Sequence, residues 1–238
     1  MRPHNPPQLD QPLNQNAPIL AKKGPEITPE TLVIIERIVQ SASIMTVLSA
    51  PQPPAPDSII GVHCKLLKSH GDERGFFREI IRYSDPFFSS RERFAQWSHS
   101  RMARNVVKAW HYHHVQTDWW YVPIGQIETI LFDNRPESST YRKKLTFKMG
   151  DSKKFGADTF EVCVHIPPGV LHGCKVLSDE AHLFYITSEI YDPNEEGRFP
   201  YDSPLVGHLW GEDVIVADND RRTFEPIRPR SKIAEPSA

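Results

Sequence analysis

The sequence has no long apolar run and no strong excess of either charge. Its 238 residues include 28 basic and 30 acidic side chains, which leave a formal net charge of -2. Because nucleic-acid-binding proteins usually carry a clear basic excess, this balance argues against a nucleic-acid partner. No apolar run approaches the roughly 18 residues that span a bilayer, and the N-terminus MRPHNPPQLDQ lacks the apolar stretch of a signal peptide. We therefore expect a cytoplasmic protein with no membrane partner.

Cysteine is scarce, and its spacing argues against a disulfide framework. Cys64, Cys163 and Cys174 form an odd and widely spaced set without a C-x-x-C pair. We expect all three to be buried thiols in a reducing compartment.

Composition divides the chain into three parts. The first, residues 1–56, starts with a stretch rich in Pro, Asn and Gln, which predicts a disordered tail. A helix with Thr28 as its N-cap should follow, and the Pro-rich linker 51–56 should end this part. Residues 57–228 form the expected main domain, and residues 229–238 form a C-terminal tail.

From Ile59 onward, short apolar runs alternate with Gly and Pro turn signals, and helical periodicity is weak. Runs rich in branched and aromatic residues predict strands. These runs are IIGVHCKLL, NVVKAWHYH, WWYVPIG, QIETILFDN, KKLTFKMG, FEVCVHIPPG and AHLFYITSEIY. Their number and spacing predict an all-β fold, an antiparallel β-barrel of about 150 residues.

Three histidines stand within four positions in the stretch AWHYHHVQTDWW, residues 109–120. Alternate side chains of a strand share a face. We therefore expect His111 and His113 to point to one side of the sheet, and Tyr112 and His114 to the other. Two imidazoles on the inner face of a barrel would form the start of a site.

Two motifs frame these histidines. The pattern H-x-H-x(4)-D-x(6)-G starts at His111 and ends at Gly125, and P-x-G-x-x-H ends at His172. Together they resemble the two motifs of the cupin superfamily, which implies a jelly-roll barrel. Imidazole and carboxylate groups are ligands of divalent transition metals such as zinc, iron, manganese and nickel. A metal would then be held by His111, His113, Asp118 and His172; otherwise these are hydrogen-bonded residues of a polar barrel interior.

A longer resemblance indicates a different chemistry. GDERGFFRE, residues 71–79, is similar to a signature of the dTDP-4-dehydrorhamnose 3,5-epimerase family, which has the cupin fold. The similarity continues through FAQWSHSRMARNVVKAWHYH, GQIETILFDNR, IPPGVLHGCKVL, AHLFYITSEIYDP, FPYDSPL and ADNDRRTFEP. It covers most of residues 59–226 and implies an isomerase of deoxysugar biosynthesis that uses no cofactor.

The activity implied by the resemblance is epimerisation of a dTDP-4-keto-6-deoxyhexose by proton exchange. The exchange is expected at C3, and C5 is a second candidate position. The keto group acidifies the neighbouring protons, so a base can remove one and an acid can return it to the opposite face. His111 matches the family's base, and imidazole suits that role near neutral pH. Asp220 matches the aspartate that orients this base, and Tyr191 matches the proton donor.

The resemblance also implies contacts with a nucleotide-sugar substrate and a homodimer in which some of these contacts cross the interface. Arg221, which follows Asp220, could meet a phosphate through its planar fork. The expected substrate-binding residues are Arg74, Phe77, Glu79, Gln96, Lys108, Asp118, His172 and Arg221.

Three positions depart from the family pattern. Lys108 replaces an arginine and loses the bidentate fork, and Ser98 replaces an asparagine. Asp118 replaces the lysine that supports the developing enolate, and a carboxylate opposes negative charge there. Asp118 therefore completes the group of possible metal ligands but weakens the match to the catalytic residues of the epimerase family. Two alternatives stay open: a metal-dependent cupin enzyme, and a nucleotide-sugar-binding relative with impaired catalysis.

Overall fold

The computed structural model describes residues 58–86 and 94–227, whose regular structure is almost entirely β-strand. The strands are β1 His63–Leu66, β2 Ser69–Asp72, β3 Gly75–Arg78, β4 Gln96–Ala103, β5 Val106–His113, β6 Asp118–Ile124, β7 Gln126–Asp133, β8 Lys144–Gly150, β9 Thr159–Phe160, β10 Val162–Ile166, β11 Val170–Val176, β12 Glu180–Thr187, β13 Glu196–Arg198 and β14 Ile215–Val216. The helices are α1, Ser152–Phe155, and a 3-10 turn, Asp218–Arg221. Each of the seven predicted runs contains a strand, so these predictions are confirmed.

The tail, helix and linker predicted within residues 1–56 lie outside the described residues, as does the tail predicted at 229–238. The division of the chain into these parts therefore stays a prediction. None of the helices among the residues that the structure describes is long and apolar enough to cross a membrane.

Two antiparallel sheets form the body of the fold. One has the strand order β1-β10-β6-β12-β4, and the other β13-β5-β11-β7-β8-β9, with β14 added beside β5. The pairs β8–β9 and β14–β5 are parallel, while the remaining pairs are antiparallel. Strands β2 and β3 form a separate hairpin. The expected all-β, cupin-type architecture is confirmed.

The main core lies between the two sheets. It consists of inward-facing side chains that alternate along the strands, and burying each one contributes roughly 1.5–3 kcal/mol. From the five-stranded sheet come Trp120, Val122, Val164 and Leu183, and from the other sheet Ile127, Leu131, Met149 and Val176. Trp120, Cys174 and Leu183 of this core also line the pocket described below.

The outer face of the seven-stranded sheet carries a second apolar cluster. Tyr112 and Trp110 of β5 pack there with Val206 and Trp210, which belong to the chain segment after β13. This segment covers the sheet and brings the 3-10 turn to the edge of β5. Asp220, within that turn, is consequently buried beside β5.

Strand β5 contains a β-bulge at Ala109 and Trp110. His111 pairs with His172 of β11, but Lys108 pairs with Cys174, so three steps on β5 match two on β11. Ala109 and Trp110 both face the outer cluster. Because a bulge shifts the alternation by one residue, Lys108 lies on the same inner face as His111 and His113.

The glycines of the two motifs have specific backbone roles. Gly125, in the turn between β6 and β7, has φ 83°, and a Cβ there would lie 2.1 Å from the carbonyl oxygen of Glu180. Gly169 has φ 80°, and its Cβ would lie 2.5 Å from Cγ of Arg135. Both positions therefore require glycine, since positive φ and close approach disfavour any side chain.

All three cysteines are free thiols. Cys163 and Cys174 are buried as expected, and burial raises the pKa of each to about 12. Cys64 departs from the prediction because it is only partly buried, at an edge of the five-stranded sheet.

Candidate active site

A pocket of about 230 Å³ opens between the two sheets, next to the apolar core. Strands β4, β6 and β12 form one wall, β5 and β11 form the other, and the segment after β12 closes one side. Residues predicted for the site that line it are Gln96, Lys108, His111, His113, Asp118, His172 and Tyr191.

His111 forms a hydrogen-bonded pair with Asp220. Nε2 of His111 lies 2.8 Å from Oδ1 of Asp220, which is only 3% exposed. Nη1 of Arg198 lies 3.0 Å from the same imidazole nitrogen and donates to the same carboxylate oxygen. With Nε2–H donating to Asp220, Nδ1 of His111 remains as the basic nitrogen.

His113 lies two residues after His111 on β5, and a buried carboxylate holds its imidazole. Its Nδ1 is 2.9 Å from Oε2 of Glu195, whose other oxygen accepts from the backbone amides of Val115 and Gln116. Burial lowers the pKa of His113, but the hydrogen bond to Glu195 and the charge of Asp118 outweigh it and raise the pKa above its usual value. Burial raises the pKa of Glu195, and the hydrogen bond from His113 reverses this to a net lowering.

Asp118 of β6 and His172 of β11 lie on the two opposite walls of the pocket. Oδ1 of Asp118 accepts from Nε2 of Gln116 at 2.8 Å, and Oδ2 accepts from Nε1 of Trp120 at 3.2 Å. Nδ1 of His172 lies 3.1 Å from the carbonyl oxygen of Val170 and donates to it. Burial lowers the pKa of His172 to about 3, so its imidazole is neutral.

Three of the four predicted metal ligands lie together. The ligand atoms of His113, Asp118 and His172 are all within 4.8 Å of one another. His111 does not belong to this group, because its Nε2 faces Asp220 and Arg198 instead. The residues present fit a divalent ion through three ligands, without the fourth that the motif suggests.

Tyr191 lies at the mouth of the pocket and is 62% exposed. Its backbone N–H donates to Oε1 of Gln96 at 3.0 Å, and Nε2 of Gln96 donates to Ser98. Lys108 donates to Oγ of Ser100 at 2.8 Å. Polar side chains on the inner face of β4 therefore accept hydrogen bonds from the backbone of Tyr191 and from the ammonium group of Lys108.

The remaining predicted binding residues lie away from the pocket of their own chain. Arg74 and Phe77 belong to the β2–β3 hairpin, where both are exposed and Arg74 pairs with Asp72. Glu79 follows the hairpin and pairs with Arg82. The guanidinium of Arg221 lies over the ring of Tyr201, 5.3 Å from its centroid.

Sequence reasoning missed three residues of the site: Arg198, Glu195 and Gln116. The letters NEEGRF are typical of a solvated turn, and only the pairing of β13 with β5 brings them to the pocket. Gln116 lies between His113 and Asp118 in the sequence. Its position two residues before Asp118 is the signal that could have placed it at the site.

Two packed, mainly antiparallel sheets around a histidine-lined pocket define a cupin-type protein. The chain belongs to the dTDP-4-dehydrorhamnose 3,5-epimerase family, whose sequence model matches residues 56–225. It is therefore a member of a family of isomerases.

Relatives with curated names support this assignment. The chain is 34% identical over 158 residues to the spore coat polysaccharide biosynthesis protein SpsL of Bacillus subtilis, covering 65% of this chain and 98% of that protein. It is 29% identical over 166 residues to the dTDP-4-dehydrorhamnose 3,5-epimerase of Methanothermobacter thermautotrophicus, covering 66% and 84%. A solved structure of the 3,5-epimerase of Legionella pneumophila in complex with dTDP-4-keto-L-rhamnose matches with a TM-score of 0.63 and 26% identity, covering 74% of this chain and 96% of that one.

Proposed function

We propose that the protein epimerises a dTDP-4-keto-6-deoxyhexose at C3, with C5 as a further position to be tested, in deoxysugar biosynthesis. The observation that carries this proposal is the His111–Asp220 hydrogen bond of 2.8 Å beside a pocket that Tyr191 also lines. In a member of this epimerase family, that arrangement supplies a base, a residue that orients it and an acid.

In the proposed reaction each of these groups has one role. The C3–H bond breaks, its proton moves to Nδ1 of His111, and its electron pair forms an enolate with the C4 carbonyl. The O–H bond of Tyr191 then breaks and its proton goes to C3 from the opposite face. Exchange with solvent restores both residues, which the 62% exposure of Tyr191 permits. Only protons move, so the reaction needs no electron acceptor.

Two cationic side chains of the pocket would stabilise the negative charge that develops on the enolate oxygen. Lys108 and Arg198 both line the pocket, and Arg198 also donates to Asp220. Fixed positive charges near a forming oxyanion lower the activation barrier because they need little reorganisation. They offer partial compensation for the carboxylate of Asp118.

The size of the pocket suits part of the substrate. Its volume of about 230 Å³ is below the roughly 300 Å³ at which small-molecule pockets begin. We therefore place the sugar inside and the nucleotide at the mouth. Arg74, Phe77 and Glu79 are exposed in or beside the hairpin and would contact a nucleotide bound to a second copy, in a cytoplasmic homodimer.

Incubation with dTDP-4-keto-6-deoxyglucose in deuterium oxide, followed by proton NMR, tests this function. We expect deuterium to replace the proton at C3, and signal loss at C5 would show a second inversion site. Binding without exchange would favour a nucleotide-sugar-binding relative. Absence of binding would reject the substrate class.

A further inference from the structure

We propose that His113, Asp118 and His172 form a binding site for one divalent transition-metal ion inside the pocket. Nε2 of His113 is 3.9 Å from Oδ1 of Asp118, and Nε2 of His172 is 4.0 Å from Oδ2. All three ligand atoms lie within 4.8 Å of one another, and all three side chains are buried. Two imidazoles and one carboxylate with an open side toward a pocket are typical of sites that bind zinc or another first-row metal ion.

The contacts behind the ligands provide independent support. Metal-binding histidines usually donate their second ring N–H to a carboxylate or a backbone carbonyl, which fixes the ring and aims the other nitrogen at the ion. Nδ1 of His113 meets Glu195 at 2.9 Å, and Nδ1 of His172 meets the carbonyl oxygen of Val170 at 3.1 Å. Both Nε2 atoms are therefore left as the ligand atoms on the side of Asp118.

The charge of Asp118 also favours a cation. Among the residues that the structure describes, Asp118 has no ion pair with a lysine or an arginine. It faces Nε2 of His113 at 3.9 Å and Nε2 of His172 at 4.0 Å, and its neutral donors are Gln116 and Trp120. A buried carboxylate is costly unless an opposite charge or a metal ion compensates it. A divalent ion would provide that compensation in place of a proton on His113, which lies 3.9 Å from Asp118.

Gln116 determines how an ion would enter. Its Nε2 lies 2.8 Å from Oδ1 of Asp118 and 3.1 Å from Nε2 of His113, so its amide bridges two of the ligands. Ion binding therefore requires this side chain to rotate away from the ligands. Gln116 lines the pocket, which leaves space for that rotation.

The role of the ion rests on the proposed function, whereas its binding does not. A cation beside Asp118 would polarise the carbonyl of the sugar as a Lewis acid. It would thus supply the positive charge that the carboxylate of Asp118 removes, while His111 stays free as the base.

Metal binding can be measured without any activity. Protein stripped with a chelator is titrated with Co²⁺ and followed by visible absorption, and with Zn²⁺ and followed by calorimetry. We expect one ion per chain for the wild type and loss of stoichiometric binding for both Asp118→Asn and His172→Gln. Glu195→Gln should weaken binding by about 10–100-fold, as removal of a partner behind a ligand does.

Two controls make the assignment specific. His111→Ala should bind Co²⁺ as the wild type does, because His111 faces Asp220. His165→Gln removes a buried histidine outside the pocket, one whose Nδ1 faces the carbonyl oxygen of Gly61, and should also leave binding unchanged. Circular dichroism of each variant checks its folding.

The proposal is overturned if the wild type binds no Co²⁺ or Zn²⁺, or if both ligand variants bind as well as the wild type. Loss of Co²⁺ binding in His111→Ala would contradict the three-ligand site, because it would make His111 a fourth ligand. Equal deuterium exchange with and without the ion would reject its catalytic role and leave the epimerase function intact. Absence of exchange in both forms would reject the epimerase function, while the binding result would stand.

Discussion

Nε2 of His111 lies 2.8 Å from Oδ1 of Asp220, although 109 positions separate the two residues in the chain. The pair exists because the segment after β13 covers the outer face of the seven-stranded sheet and returns to the edge of β5. A histidine held in this way has one tautomer and one orientation, which a general base requires.

His111→Ala should therefore reduce deuterium exchange at C3 by about 10²–10⁴-fold, the usual contribution of a general base. Proton NMR in deuterium oxide measures the rate. His165→Gln is the matched control because it changes a buried histidine outside the pocket, and it should exchange normally. Undiminished exchange in His111→Ala would remove this residue from the mechanism.

Tyr191→Phe should separate proton removal from inversion. The base is intact in this variant, so exchange at C3 should continue, whereas inversion should fall because the far face lacks its donor. Comparing the exchange rate with the rate of product formation in the same NMR experiment gives both values. If the two rates fell equally, Tyr191 would have a structural or binding role instead.

An apolar outer face of the five-stranded sheet predicts a homodimer. Ile80, Ile81, Trp97, Trp119 and Phe184 line an apolar depression there, and Trp97 is 74% exposed. Pairing of two copies would cover this surface. Light scattering at micromolar concentration should give twice the mass of one chain.

Trp97→Asp should shift this protein toward the monomer, because a charge within an apolar contact is costly to bury. Leu209→Asp is the control, since Leu209 is 92% exposed and lies in the segment after β13, away from the apolar depression. A monomeric wild type, or equal behaviour of the two variants, would contradict the predicted interface.

Asp133 should make stability depend on pH in acid. It is fully buried and accepts hydrogen bonds from Arg135, Ser138 and Thr140. Burial raises the pKa of this carboxyl, but the bonds from Arg135 and the two hydroxyls lower it below the usual value. Its contribution to stability is therefore present above the unfolded pKa of about 3.9. That contribution is lost as the pH falls through the lower pKa of the folded state.

Asp133→Asn should reduce the free energy of unfolding at pH 7 by about 3 kcal/mol, because Arg135 is left buried without its partner. Urea unfolding as a function of pH should show this difference narrowing below pH of about 3.9. Asp158→Asn is the control, since Asp158 pairs with Lys148 at an exposed site, and it should change stability far less. A difference that is independent of pH would contradict the role of the charge.

Much of the fold follows from local pattern. The alternation in β5 correctly separated His111 and His113, which line the pocket, from Tyr112, which packs in the outer cluster. Strand β4 is not among the predicted strands because most of its inward positions are polar, Met102 being the apolar one. Gln96 and Ser100 face the pocket while Trp97 faces outward, so the usual hydropathy signal of a strand is inverted.

The site was predictable only where motif or resemblance fixed a position. His111, Asp220 and Tyr191 followed from the resemblance, and their assembly at one pocket depends on contacts distant in sequence. Glu195 and Arg198 depend on the pairing of β13 with β5, which no local pattern encodes. The place of Lys108 on the inner face depends on the bulge beside it.

One stretch of eight residues, from Tyr191 to Arg198, supports three parts of the site at once. It carries the tyrosine at the pocket mouth, the carboxylate that holds His113 and the guanidinium that contacts His111 and Asp220. Proteins open locally at free energies below that of global unfolding. A local opening of this stretch would displace Tyr191 from the pocket mouth and remove the contacts that hold His111 and His113. Activity should therefore be lost on mild denaturation as a single cooperative step that precedes the melting of the other strands of the two sheets.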